Sequence, residues 1–125
     1  MRVLIVDDDA VIRRLVGSIL TRHRVASAVV YADDGEMAWQ MVQDEAIDLV
    51  ITDYSMPGMN GLDLLRRIRA TPAYAAIPVI MLTGTVRDQT AAETAAREGA
   101  NGFLPKLLSP DTLLPAVAQA LGKSA

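Results

Sequence analysis

Leu49-Val50-Ile51-Thr52-Asp53-Tyr54-Ser55-Met56-Pro57-Gly58 is the stretch on which the reading of this chain turns. Four apolar or β-branched residues run into a single carboxylate, and a Pro-Gly turn signal follows. A short apolar run closed in this way predicts a buried strand that delivers one acid to a surface loop. Asp53 is thereby expected at the carboxyl end of a strand, which in an open α/β sheet borders the crevice where ligands bind.

Working outward, Val3 to Val6 is a second uninterrupted apolar run, closed by Asp7-Asp8-Asp9, as expected of a central strand buried on both faces. Val11, Ile12, Leu15, Val16, Ile19 and Leu20 then repeat at i, i+1, i+4, i+5 and predict a helix with those residues inward. Asp9 stands where its N-cap belongs. Ala28 to Ala32 reads as a strand. Asp33-Asp34-Gly35 opens a helix to about Asp44, with Ala38, Trp39, Met41 and Val42 facing in. Gly61 to Ala70 is a third helix, buried through Leu62, Leu65 and Ile68 and stopped at Thr71-Pro72, because a residue before proline disfavours the helical region.

Pro78 to Leu82 is another apolar strand, ending at Thr83-Gly84-Thr85, and Asp88 to Glu98 is an alanine-rich helix ended by Gly99. Gly102-Phe103-Leu104 is a short fifth strand leading to Pro105-Lys106. Ser109-Pro110-Asp111 supplies an N-cap, a first-turn proline and an acid for a last helix with Leu113, Leu114, Val117 and Leu121 inward. Pro115 conflicts with that helix and predicts a tightened first turn. Lys123 to Ala125 is expected to fray.

Five strands alternating with five helices imply right-handed βαβ crossovers. The expected fold is an α/β, (βα)5 doubly wound domain spanning 1–125, with an ordered core of about 2–121. Of the common doubly wound orders, the flavodoxin-like 2-1-3-4-5 suits five parallel strands best. At 125 residues there is room for one ordinary domain. A net charge of −3 argues against binding to nucleic acid or an anionic membrane, and the absence of cysteine excludes thiolate metal sites and favours a cytoplasmic setting. The first apolar run is too short for a signal peptide or a membrane span.

In the 2-1-3-4-5 order the carboxyl mouth collects Asp7, Asp8, Asp53, Thr83 and Lys106. Three close carboxylates repel one another unless a cation or a pKa shift relieves them. With oxygen ligands alone, Mg2+ (or Mn2+) is the expected ion, since it accepts waters, one or two carboxylates and a phosphate. A carboxylate can act as nucleophile toward phosphorus when a divalent ion and a cationic side chain neutralise the transferring oxygens. Lys106 supplies such a cation and Thr83 a hydroxyl donor.

Asp7-Asp8, Asp53 with Met56-Pro57-Gly58 and Gly61, Thr83-Gly84, and Gly102-Phe103-Leu104-Pro105-Lys106 together resemble the receiver domain of bacterial two-component response regulators, of the chemotaxis-receiver type. The resemblance covers residues 2 to 121. It implies that Asp53 is the phosphoacceptor and Asp8 a direct Mg2+ ligand. Asp7 would ligate through water, and the Ser55 backbone carbonyl would be a further ligand. Thr83 and Lys106 would grip the phosphoryl group, and Thr83 with Phe103 would form the switch. It also implies a histidine kinase or histidine phosphotransfer domain as donor, a downstream target, and a monomer or weak phosphorylation-dependent dimer. His23, the only histidine, is expected at the negative end of the first helix, so the phosphohistidine must come from another protein. The expected partner surface is the face of the fourth helix, fifth strand and fifth helix, with Ala91, Ala92, Ala95, Phe103, Leu107 and Leu108 nearby. Ser55 and Thr85, which vary in the family, are expected to set the phosphoryl lifetime.

Two departures stand out. Where the family usually carries Lys-Pro joined by a cis bond, this chain has Lys106-Leu107, and its proline precedes as Pro105. A non-proline cis bond costs about 3 kcal/mol, so a trans loop is expected. Phe103 also lacks the hydroxyl of a tyrosine. Two alternatives remain at the level of sequence. Asp7-Asp8-Asp9-Ala10-Val11 fits the Asp-x-Asp-x-Val pattern of haloacid-dehalogenase-like phosphatases, with Asp7 as nucleophile, although no acid pair follows Lys106. The other is a receiver-like interaction module that is never phosphorylated.

Overall fold

The computed structural model describes residues 1–84 and 89–122. Its strands are β1 (Arg2–Val6), β2 (Ala28–Ala32), β3 (Leu49–Asp53), β4 (Val79–Thr83) and β5 (Gly102–Pro105). The helices are α1 (Ala10–Arg22), α2 (Gly35–Asp44), α3 (Gly61–Ala70), α4 (Gln89–Arg97) and α5 (Pro110–Ala120). All four strand pairings are parallel, as the alternation of elements predicts, and the order is β2-β1-β3-β4-β5, the flavodoxin-like one expected.

The apolar runs become central strands because both faces of the sheet are covered. Alternate residues feed two cores. Leu4, Val6, Val50, Val79 and Met81 pack against α2, α3 and α4, whereas Val3, Ile5, Leu49, Ile51, Ile80 and Leu82 pack against α1 and α5. No helix among the described residues is long and apolar enough to cross a membrane.

The caps set where each helix starts. Asp9 accepts from Val11 N–H at 2.9 Å, Asp34 from Met37 N–H at 2.7 Å, and Asn60 from Asp63 N–H at 2.9 Å. His23 is the exposed C-cap of α1. The tightened turn expected from Pro115 is present, since Thr112 N–H reaches Ser109 O, an i−3 bond, at 3.2 Å. Trp39 fills core space, meeting Tyr74 edge-on at 5.9 Å.

Two expectations about helix faces need correction. Val11 and Leu15 are 68% and 38% exposed, so the inward stripe of α1 is narrower than the sequence suggests. One sheet face can cover only part of a helix, and Val16, Ile19 and Leu20 occupy it. On α3 the reverse holds: Leu64 is buried along with Leu62, Leu65 and Ile68, because α3 packs against α2 as well as the sheet. The expected start of the fourth helix at Asp88, Thr85, and the tail from Lys123 all lie outside the described residues.

Away from the carboxyl ends, Arg69 ties three segments together. Its guanidinium donates to Gly99 O through Nε at 3.1 Å and an Nη at 2.9 Å, to Ala75 O at 3.1 Å and Ile77 O at 2.6 Å, and to Asn101 Oδ1 at 2.8 Å. Asn101 Oδ1 also accepts from Val79 N–H at 2.9 Å. The α3 end, the approach to β4 and the α4–β5 turn are thus held by one side chain.

Candidate functional site: an acidic pocket at the carboxyl ends of the strands

β1 ends at Val6, so Asp7 emerges at the sheet's carboxyl edge and is fully buried. β3 ends on Asp53 itself, 4% exposed, and β1 and β3 are neighbours in register, Val6 opposite Thr52. Asp8, next along, is exposed at the pocket's rim. One carboxylate oxygen from each of Asp7, Asp8 and Asp53 lies within 4.8 Å of the others. The sequence sets Asp53 far along the chain from Asp7 and Asp8; the parallel pairing of their strands brings them together.

The β3–α3 turn closes one side of the pocket. Gly58 adopts φ +72, where a side chain is strained. Gly61 presses so closely on the Asp53 carbonyl that a Cβ would collide with it, and Gly61 N–H donates to Tyr54 O at 3.1 Å. The start of α3 is therefore pinned against the end of β3. Ser55 is exposed, and its N–H donates to Asp53 Oδ1 at 3.3 Å.

Lys106 enters from the other side. Its Nζ lies 2.9 Å from Asp7 Oδ2 and 3.0 Å from Asp53 Oδ2, bridging the two buried acids. Its backbone N–H is held by Thr83 O at 2.8 Å, which fixes the loop to the end of β4. No peptide bond among the described residues is cis, so Lys106-Leu107 is trans, and the altered loop still brings the ammonium into the pocket. Thr83 is buried at the same mouth. Phe103 is half-buried and meets Tyr54, the residue that follows Asp53, edge-on at 5.9 Å.

Among the described residues, charge in the pocket is unbalanced, three carboxylates against one ammonium. Burial pushes the Asp7 carboxyl above the ordinary carboxylate range, and its bond from Asp9 N–H at 2.9 Å and the pairing with Lys106 only partly oppose this. For Lys106, burial alone would lower the pKa; Asp7 and Asp53 together outweigh it and raise the value. Asp7 Oδ2 accepts no well-formed hydrogen bond among the described residues, its contact with Lys106 being an ion pair. A buried oxygen with lone pairs unspent, beside two other carboxylates, fits a hard divalent ion and its waters.

The chain matches the profile of the response regulator receiver domain over residues 3–118. It belongs to that family. Among its relatives, the chemotaxis protein CheY-3 of Vibrio cholerae is 40% identical over 113 residues, covering 90% of this chain and 85% of that protein. The CheY homolog of Campylobacter jejuni is 35% identical over 125 residues, covering 98% and 93%. The crystal structure of the response regulator CheY4 of Vibrio cholerae superimposes with a TM-score of 0.84 at 31% identity, covering 95% of this chain and 97% of that one. The chain is therefore a two-component phosphoacceptor switch, of a signalling family rather than a conventional enzyme family. Receiver domains of this type bind Mg2+ at an aspartate cluster and work with histidine kinases and downstream targets. Neither the phosphatase nor the unphosphorylated module finds support among these relatives.

Three contributors escaped the sequence reading. The Arg13 guanidinium donates to Asp7 O at 2.5 Å, steadying the acid's backbone. Arg69 and Tyr54 were not singled out either. Arg13 carries a weak signal, a cation one turn past the N-cap; nothing local marks Arg69, whose partners lie 6 to 32 residues away. In the expected partner surface one correction is needed. Ala91 and Ala95 are buried against the core and cannot be part of it, whereas Leu107 is 69% exposed.

Proposed function

We propose that Asp53 accepts a phosphoryl group from a phosphohistidine of a partner histidine kinase or phosphotransfer domain, within a cytoplasmic signalling pathway. The observation that carries this is the ammonium of Lys106 set between Asp7 and Asp53 at 2.9 and 3.0 Å. One Asp53 carboxylate oxygen attacks phosphorus as the P–N bond to the imidazole breaks, and the electron pair leaves on nitrogen, which takes a proton. Lys106 is positioned to follow the phosphoryl oxygens and offset their charge. Thr83 supplies a hydroxyl donor.

Asp7, Asp8, Asp53 and the Ser55 carbonyl are the residues we assign to Mg2+ (or Mn2+), Asp8 directly and Asp7 through water. When bound, the ion neutralises charge on the transferring oxygens. Thr83 and Phe103 form the switch in this reading, and the packing of Phe103 on Tyr54 supports a change felt from the acceptor outward. Without a hydroxyl, Phe103 acts by packing alone. Phosphorylation then alters the α4/β5/α5 face, where exposed Leu107 is the apolar group offered to a target. The chain acts as one receiver domain, and Ser55 with Thr85 sets the phosphoryl lifetime.

Incubation with Mg2+ and acetyl phosphate, followed by intact-mass measurement, tests the assignment. A gain of one phosphoryl group that is lost in Asp53→Asn is expected. No gain, or a gain that survives that substitution, overturns it.

A further inference from the structure

The sheet has two edges and they are built differently. In β5, Lys106 N–H bonds inward to Thr83 O, and with Thr83 opposite Pro105 in the ladder this turns the backbone groups of Phe103 and Pro105 outward. Proline at 105 thus removes an amide donor from the open edge, a common way to blunt one. β2 carries no such device. Its sequence is Ala28-Val29-Val30-Tyr31-Ala32, uncharged and without proline.

Asp7 N–H bonds to Ala32 O at 3.2 Å and Ala28 N–H approaches Met1 O at 3.4 Å, so Ala28, Val30 and Ala32 face β1. Val29 and Tyr31 therefore present their N–H and C=O groups to the outside. The Tyr31 ring is folded over α1, its hydroxyl against Gly17 so closely that a Cβ there would collide, which leaves the strand's backbone edge uncovered by its own side chain. Charge is divided along the strand: exposed Arg22 and Arg24 precede it, and exposed Asp33 and Glu36 follow it. None of the four has an ion-pair partner among the described residues.

We propose that the β2 edge pairs with the β2 edge of a second copy of this chain, antiparallel about a twofold axis at Val30. In that register Val29 lies opposite Tyr31 of the other copy and each pair exchanges both backbone bonds, so all the outward groups are satisfied. The antiparallel arrangement also brings the basic end of each strand to the acidic end of the other, as an isologous contact requires. Because the edge is short, association is weak, with a dissociation constant on the order of 10−4 M. The contact lies on the opposite sheet edge from Thr83 and Phe103, so it does not depend on phosphorylation.

Sedimentation across a concentration series, with amide exchange at Val29 and Tyr31, tests this. Self-association with concentration-dependent protection of those two amides is expected, unchanged by acetyl phosphate. Val29→Pro, which removes one donor per copy, should weaken it by about tenfold or more. Since a proline could also disturb the strand, a charge exchange provides an independent check. A Arg22→Glu/Arg24→Glu variant and a Asp33→Arg/Glu36→Arg variant should each fail to self-associate, and mixing the two should restore pairing. A chain that stays monomeric up to about 1 mM, well above the expected constant, overturns the proposal. So does association that neither set of variants alters. Loss of phosphoryl uptake with dimerisation intact would instead count against the acceptor assignment alone.

Discussion

Lys106 and Arg69 are both partly buried cations that join distant segments, and they are used in opposite ways. Arg69 faces neutral oxygens: each of its bonds ends on a backbone carbonyl or the Asn101 amide, and no carboxylate among the described residues opposes it. Its burial lowers its pKa, which is the whole of the perturbation there. Lys106 faces two buried carboxylates, with a third at the rim and one oxygen of Asp7 still short of a hydrogen bond among the described residues. The Arg69 end is saturated and holds the fold. Among the described residues the Lys106 end is left wanting positive charge, and a pocket in that condition can bind an ion and a phosphoryl group.

The largest expected effect separates these two roles. Lys106→Ala should slow phosphorylation of Asp53 by acetyl phosphate by about 10²-fold or more, as removal of one preorganised charge contact does in comparable sites. Arg69→Ala should change that rate by less than about threefold, provided the protein is folded. Rates measured on both variants at one Mg2+ concentration decide it; equal losses would mean that the two cations are not divided as described.

Stability should rank them the other way. Arg69→Ala leaves the half-buried carbonyls of Ala75, Ile77 and Gly99 short of a donor and should cost about 2–4 kcal/mol in denaturant unfolding. Arg69→Lys should recover little, because an ammonium cannot reproduce a planar fork that serves Gly99, Ala75, Ile77 and Asn101 together. A full rescue by lysine would show that charge, not geometry, is what that end requires.

Asp7 supplies the next test. It holds its proton more tightly in the folded chain than in the unfolded one. Its contribution to stability is therefore fully present below the unfolded carboxyl value near 3.9 and is lost as pH rises through the higher folded value. Metal-free Asp7→Asn should be more stable than the parent chain at pH 7, by about 1 kcal/mol, and that advantage should shrink on acidification. Adding Mg2+ should stabilise the parent and close the gap, in proportion to ligand excess. A difference between the two chains that is flat from pH 3 to pH 8 would remove burial of Asp7 as the source of strain.

These contrasts also explain what the sequence disclosed. Strand ends carrying Asp7, Asp53 and Thr83 were legible because an apolar run that stops at a polar residue fixes both the strand and its mouth. The 2-1-3-4-5 order then makes the acids neighbours. Arg69 was not legible, since all but one of its partners are backbone carbonyls, which carry no residue identity, and the exception, Asn101, lies 32 residues away. The exposure of Val11 and Leu15 was hidden for a related reason: an apolar stripe states which residues could face inward, while the width of the covering sheet decides which do. Leu107 shows the limit most clearly, an apolar residue beside the pocket lysine that is left open to solvent.

The smallest effect concerns Pro105, the residue whose place departs most visibly from the family pattern. If the pairing of β5 is as described, the position 105 amide points away from β4, and the bond that anchors Lys106 is made by the lysine's own N–H to Thr83 O. Proline there costs the ladder nothing, and Pro105→Val returns a donor that only water can use. Stability should then move by no more than about 0.5 kcal/mol and phosphorylation by less than about twofold. A drop in rate approaching that of Lys106→Ala would mean that proline positions the ammonium through the loop, and the pocket's reach across the trans Lys106-Leu107 bond would owe its accuracy to Pro105 instead of to the Thr83 carbonyl.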